Sequence, residues 1–119
     1  GLYGYGRVPD AKEAFERAYR VNPYHLHVIN SLATTLEAME QHREAARYFE
    51  EALAISPTFQ PALLNYAATL YNVGQYRKAH NLISMVDPEM SPRRYQEYKT
   101  RIEQQLADTT TTDTTASQP

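Results

Sequence analysis

Three sets of small or apolar residues recur in this sequence at a spacing of 34 residues. They are Ala11, Ala45 and Ala79, then Phe15, Phe49 and Ile83, and finally Ala18, Ala52 and Val86. A fixed period of a few tens of residues is typical of stacked supersecondary units, and a period of about 34 is typical of a helix-turn-helix repeat. The spacing therefore predicts an all-α chain that folds by stacking rather than around one globular core.

Composition restricts the classes of function. The 119 residues include 12 Lys and Arg against 14 Asp and Glu, which gives a formal net charge of -2. Nucleic acids and anionic membranes are bound by concentrated basic patches, so we expect neither as a partner. The absence of Cys excludes disulfides, thiol catalysis and thiolate zinc sites. No apolar run approaches the roughly 18 residues of a membrane span, so we expect no membrane insertion by this segment.

Apolar residues follow the helical period in six segments, which we predict to be helices. Asn22-Pro23, Ser56-Pro57 and Asp87-Pro88 end three of them, because the residue before a proline is pushed out of the helical region. Ser91 and Pro92 are suited to the N-cap and first position of the last helix. The predicted helices cover residues 10–21, 24–38, 43–55, 59–72, 76–86 and 92–106.

The repeat phase divides the chain into units. Residues 1–23 form a partial unit whose second helix covers about 10–21, residues 24–57 and 58–90 form two complete units, and residues 91–107 form a C-terminal capping helix. The cap has a polar outer face, as a terminal repeat requires. Its apolar residues follow an offset of 32 instead of 34, since Tyr95, Tyr98 and Ile102 correspond to Leu63, Tyr66 and Leu70. Residues 108–119 are rich in Thr and carry no large apolar side chain, so we expect a disordered tail.

These units resemble the tetratricopeptide repeat, whose pattern ends in an Ala, an aromatic residue and a Pro on the second helix. The middle unit carries Ile29, Leu32-Ala33, Leu36, Ala45, Phe49, Ala52 and Pro57, and the third carries Leu63, Tyr66-Ala67, Leu70, Gly74, Ala79, Ile83 and Val86. The resemblance implies an α-solenoid of stacked antiparallel helix pairs closed by a capping helix. Gly1–Tyr5 then correspond to the end of a first helix, so we expect this chain to be the C-terminal part of a larger array.

One turn departs from the glycine of the repeat. Glu40 stands where Gly6 and Gly74 stand in the neighbouring units. Glycine adopts the left-handed conformation at helix ends without steric cost. We therefore predict that Glu40 is held in a left-handed conformation, at a cost of roughly 1 to 2 kcal/mol.

The family resemblance implies a non-catalytic protein–protein interaction scaffold whose first helices line a concave groove for a peptide or a helix. The corresponding residues are His27, Asn30, Ser31, Thr34 and Glu37 on one helix and Leu64, Asn65, Ala68, Tyr71 and Asn72 on the next. Chaperone-binding members hold a terminal carboxylate with Lys, Arg and Asn, and this set has the Asn residues without the cations. We predict a neutral, hydrogen-bonding groove with Tyr71 as an aromatic anchor. The alternative is a polar face that only contacts solvent.

No constellation of catalytic or metal-binding residues is present. His25 and His27 are two residues apart on one helix and therefore point to different faces, whereas helical metal pairs are three or four residues apart. His42 and His80 have no Cys or acidic partner at ligand spacing. We interpret the four His as surface or turn residues, and we expect this segment to bind no metal or cofactor and to have no enzymatic activity.

A second resemblance concerns a parent protein. Residues 22–30, 55–59, 62–65 and 71–74 are similar to the C-terminal repeats of some bacterial O-antigen ligase or polymerase-like membrane proteins. This resemblance implies a soluble periplasmic appendage of a multi-pass protein that acts in cell-surface polysaccharide assembly. Without such a parent, a cytoplasmic scaffold is the alternative. The identity of the partner stays open in either case.

Overall fold

The computed structural model describes residues 7–117, with side chains described as far as Asp108. Its elements are six helices, with no strand among the described residues: α1 (Arg7–Val21), α2 (Leu26–Ala38), α3 (His42–Ile55), α4 (Gln60–Asn72), α5 (Tyr76–Ile83) and α6 (Pro92–Ser117). The first-helix remnant expected at Gly1–Tyr5 and the turn expected at Gly6 lie outside the described residues, as do Gln118 and Pro119.

The helices stack in antiparallel pairs. Each helix packs against the next one in the chain, and α2, α4 and α6 also contact one another in that order. Each helix pair therefore contacts only the pairs next to it in the stack, which is the defining property of a solenoid. The predicted fold class, an all-α solenoid of stacked antiparallel helix pairs, is confirmed.

One apolar core runs through the stack from α2 to α6. The largest fully buried side chains include Ile29, Phe49, Leu63 and Ile102. Ala33, Ala45 and Ala52 have no exposed surface, as expected where two helices approach most closely. A larger side chain at such a contact would overpack it, typically at a cost of about 1 to 3 kcal/mol.

Helix α2 begins two residues later than predicted. Asn22 Oδ1 accepts a hydrogen bond from the backbone N–H of Tyr24 at 3.1 Å, which keeps the preceding segment in a turn. His25 then serves as the N-cap, and its Nδ1 accepts a hydrogen bond from the backbone N–H of Val28 at 3.3 Å. The cap satisfies one of the N–H groups that a helix start leaves without a partner. His25 therefore has a structural role at the start of α2.

Helix α5 ends at Ile83, three residues before the predicted end at Val86. The N–H of Ser84 still donates to the carbonyl of His80 at 3.1 Å, but the two N–H groups after it, of Met85 and Val86, donate to the carbonyls of Leu82 and Ile83 at 3.0 and 3.1 Å. These bonds span three residues rather than four, so the chain tightens out of the α-helix. The turn still buries Val86, which is 5% exposed.

Helix α6 begins at Pro92, as predicted, but it continues past Leu106 to Ser117. The residues expected to be a disordered tail, 108–119, are therefore helical as far as Ser117. No Gly or Pro interrupts the sequence between Pro92 and Ser117, so nothing in it forces the helix to end at Leu106. Ile102 has no exposed surface and joins this helix to the core.

Helix α1 packs against α2 and also contacts α3 through an aromatic pair, and none of its residues is fully buried. Tyr19 packs edge-on against Tyr48 of α3, with ring centroids 5.3 Å apart. Its hydroxyl donates a hydrogen bond to Glu51 Oε1. This bond to the carboxylate, followed by burial, raises the pKa of Tyr19 from 10.0 to about 12.

The turns after α2 and α4 have the same geometry in spite of their different residues. Glu40 has a φ of +61° and Gly74 a φ of +84°. In both turns the following N–H reaches back to the helix: Gln41 donates to Leu36, and Gln75 to Leu70, each at 2.9 Å. This arrangement is a Schellman motif, which requires a left-handed residue. The predicted left-handed conformation of Glu40 is confirmed.

We predict that Glu40→Gly raises the thermal unfolding midpoint by a few degrees. The change removes strain of roughly 1 to 2 kcal/mol, and the greater freedom of Gly in the unfolded chain offsets about half of it. Gly74→Ala is the matched opposite, because a Cβ there would meet nothing within 4 Å and the cost comes from φ alone. Thermal unfolding followed by circular dichroism checks both. A lower midpoint for Glu40→Gly would show that the Glu40 side chain stabilises the turn.

We also predict that the hydrogen bond of the Tyr19 hydroxyl ceases to stabilise the fold at high pH. Because the folded pKa of about 12 lies above the ordinary value of 10.0, that contribution is complete below pH 10 and is lost as the pH rises through 12. The difference in unfolding free energy between the wild type and Tyr19→Phe should therefore shrink across this range. Tyr24→Phe is the control, since Tyr24 is 73% exposed. Urea unfolding over this pH range gives the differences, and a constant difference for Tyr19→Phe would contradict the prediction.

Candidate functional site

The predicted groove residues lie on α2 and α4, two helices in direct contact. Four of them form two side-chain pairs between the helices. Asn65 Nδ2 donates to Asn30 Oδ1 at 3.1 Å, and Asn72 Nδ2 donates to Glu37 Oε1 at 2.7 Å. Both pairs join residues 35 positions apart, which is one repeat plus one residue. The repeat thus brings equivalent helix faces together through polar side chains.

Glu37 is bonded to two other helices. Its Oε2 accepts hydrogen bonds from the hydroxyl of Thr69 at 3.0 Å and from Nδ1 of His42 at 2.9 Å. Thr69 has no exposed surface, so this carboxylate satisfies a fully buried hydroxyl. The sequence predicts no acidic partner for His42 at ligand spacing, and in the structure its partner Glu37 lies five residues away. The five-residue separation crosses the turn between α2 and α3, so helical spacing rules do not reveal it.

The remaining predicted residues differ in their exposure. His27 is exposed and packs edge-on against Phe59 at 5.3 Å, and the hydroxyl of Thr34 donates to the carbonyl of Ser31 at 3.0 Å. Leu64 and Ala68 are only 4% and 6% exposed, so they belong mainly to the core. These two residues lie beneath the surface between the helices and do not project from it.

Tyr71 is part of an aromatic cluster. Its ring lies 5.6 Å from that of Tyr76 and 6.1 Å from that of Tyr98 on α6, measured between centroids. The side chain is half-buried, so the capping helix covers part of the residue predicted as an anchor. Aromatic pairs of this kind add about 0.5 to 1.5 kcal/mol beyond burial, and they attach the cap to the stack.

A shallow cavity of about 140 Å³ lies between α4, the α5–α6 connection and the start of α6. Gln60 shapes it by accepting a hydrogen bond from the backbone N–H of Asp87 at 2.7 Å. The lining is partly apolar, and its one charged residue is Arg94. The other lining residues are Gln60, Pro61, Leu64, Asn65, Val86, Met90 and Ser91. The residues predicted to line the groove include no Lys or Arg. Arg94 was missed because it comes from the capping helix, which does not keep the 34-residue register.

A second cavity, of about 200 Å³, opens between α3, α4 and α5. The Tyr66 hydroxyl donates to Glu50 Oε1, and Lys78 Nζ lies 3.7 Å from the same oxygen. Burial, then the bond to Glu50, raises the pKa of Tyr66. The charges of Glu50 and Lys78 offset each other, so this cluster ties α3 to α4 and α5.

The part of the chain that the structure describes contains no cluster of three metal-ligating side chains, and none of its helices has the length and hydropathy to cross a membrane.

Comparison with known proteins relates this geometry to a family. A sequence model described as the tetratricopeptide repeat matches residues 36–102. The human protein named tetratricopeptide repeat protein 7B is 30% identical over 80 residues, which are 67% of this chain. The chain spans only about a tenth of the length of that relative, since the match covers 10% of it.

Two solved structures share the fold. The first tetratricopeptide repeat domain of human RPAP3, an NMR structure, superimposes with a TM-score of 0.78 at 17% identity, over 87% of this chain and 82% of that one. The MamA RS-1 ArsTM double mutant superimposes with a TM-score of 0.77 at 16% identity, over 87% of this chain and 58% of that one. At such identities the similarity concerns the fold alone.

The Glu37 contacts give a prediction for stability. Glu37→Ala should lower the free energy of unfolding by about 1 to 3 kcal/mol, because it leaves the buried Thr69 hydroxyl without its acceptor. Glu13→Ala is the control, since the side chains of Glu13 and Arg17 form an exposed pair, at 70% and 64% exposure. Such a pair contributes less than about 0.5 kcal/mol. Urea unfolding measures both variants, and equal losses would argue against the role given to Glu37.

Proposed function

Because this chain belongs to the tetratricopeptide repeat family, we propose that it is a non-catalytic module for protein–protein interaction, which binds an extended peptide segment of another protein across α2, α4 and α6. Tetratricopeptide repeats are typically scaffolds of this kind. We further propose that the groove along α2 and α4 is the binding surface, because both helices carry polar side chains on that face.

The Asn30–Asn65 pair carries the proposal. The hydrogen bond uses one N–H of Asn65 and the carbonyl oxygen of Asn30, so it leaves the N–H₂ group of Asn30 and the second N–H and the carbonyl oxygen of Asn65 for other partners. Both side chains are half-buried, and no buried side-chain N or O atom among the described residues lacks a hydrogen-bond partner, so these unused groups are accessible to solvent. The N–H and C=O of an extended peptide need such partners, whereas a helix satisfies its own. The pair therefore favours an extended ligand over a helical one.

Two other hypotheses compete with this function. If the face only contacts solvent, the Asn pair serves to join α2 to α4 and nothing more. The second sequence resemblance implies that the chain is part of an O-antigen ligase or polymerase-like protein. Neither the human relative nor the two solved structures carry such an activity in their names. We therefore do not extend the proposal to polysaccharide assembly or to a periplasmic location.

A peptide selection tests the proposal. The folded chain is used to select binders from a displayed library of random peptides, and the selected peptides are synthesised. We predict that replacing both Asn30 and Asn65 by Ala weakens their binding roughly tenfold, because two hydrogen bonds to the peptide backbone are lost. Asn81→Ala is the control, since Asn81 is an exposed amide on α5. Titration calorimetry gives the affinities.

Two results would contradict the proposed function. One is a selection that yields no peptide for the folded wild type. The other is a set of selected peptides that bind the double variant and the wild type equally well while circular dichroism shows both to be folded. Equal weakening by Asn81→Ala would also count against the groove.

A further inference from the structure

The cavity between α4 and α6 continues the surface of the Asn30–Asn65 pair, because Asn65 belongs to both. Leu64 and Val86 form an apolar floor and are almost fully buried. Met90 stands at the rim and is 62% exposed. A flexible thioether chain adapts its shape to an incoming apolar group, and covering it removes apolar surface from water. A cavity of about 140 Å³ with this lining suits a single aliphatic side chain.

The charge at the cavity is positive. Arg94 is the one charged residue among the described side chains that line it, and it is exposed. None of the ion pairs among the described residues includes Arg94. The connection before α6 carries Asp87 and Glu89, but neither residue lines the cavity, and Asp87 Oδ1 accepts the backbone N–H of Glu89 at 3.0 Å. A guanidinium stays charged at any physiological pH and binds carboxylates well.

We propose that this cavity selects an apolar side chain together with an acidic side chain two positions away in the bound peptide. The apolar group enters over Leu64, Val86 and Met90, and the carboxylate pairs with Arg94. The separation of two follows from the extended conformation, in which residues i and i+2 lie on the same side and their neighbour points away. This inference rests on the proposed function and names the chemistry of its partner.

The carboxylate belongs to a side chain rather than to the end of the peptide. A terminal carboxylate is held in chaperone-binding members by Lys, Arg and Asn together, whereas Arg94 is the one charged residue among the described side chains that line this cavity. A single guanidinium suits a side-chain carboxylate of a chain that continues past the cavity. The earlier expectation of a neutral groove is thereby replaced by a groove with one cation, supplied by the capping helix.

The test uses synthetic peptides with amidated C-termini that hold Leu fixed and carry Glu, Gln or Lys two positions away. The wild type should prefer the Glu peptides to the Lys peptides by about tenfold, and Arg94→Glu should reverse this preference. Arg93→Glu is the control, because Arg93 is an exposed neighbour on the same helix that does not line the cavity. It should keep the preference for Glu.

Three results would overturn the inference: an unchanged preference in Arg94→Glu, an equal shift in Arg93→Glu, or binding only by peptides with a free C-terminal carboxylate. The Asn30 and Asn65 double variant separates the two proposals. If that variant loses binding while Arg94→Glu keeps the wild-type preference, the specificity fails and the proposed function stands. If the peptides bind the double variant as well as the wild type, both fail.

Discussion

The close approach of paired helices over alanine is the contact on which this structure depends. Ala33, Ala45, Ala52 and Ala79 have no exposed surface, and their small side chains leave room for two helices to pack closely. The larger residues around them, such as Phe49, then fill the space between pairs. Because the same positions recur every 34 residues, each pair presents the next with the same shape, and stacking follows.

Polar contacts supplement this apolar repeat. The Asn30–Asn65 and Glu37–Asn72 pairs cross between α2 and α4 on one surface, and the Tyr66, Glu50 and Lys78 cluster joins α3 to α4 and α5. The surface with the paired amides keeps unused donors and acceptors, whereas the charges of the second cluster are already matched. This contrast is why the proposed binding surface lies along α2, α4 and α6.

The fold was predictable from the sequence because it repeats, and the details that were not predictable lie where the repeat ends. The 34-residue period predicted the solenoid, and the alignment of Glu40 with Gly74 predicted its left-handed backbone. The length of α6 and the place of Arg94 depend on the last helix, whose register has slipped. The bond of His42 to Glu37 also escaped prediction, because it crosses a turn where no helical spacing applies.

Glu37 has a consequence for how the array folds. In the simplest description of a repeat protein, each unit has an intrinsic stability and each junction between units has a separate interfacial energy. The same carboxylate here bonds to His42 within its own unit and to Thr69 and Asn72 in the next. The two energies are therefore not independent at this residue, and a unit that loses its own turn also loosens its neighbour. Cooperativity between units has, in this chain, an identifiable side chain as one of its sources.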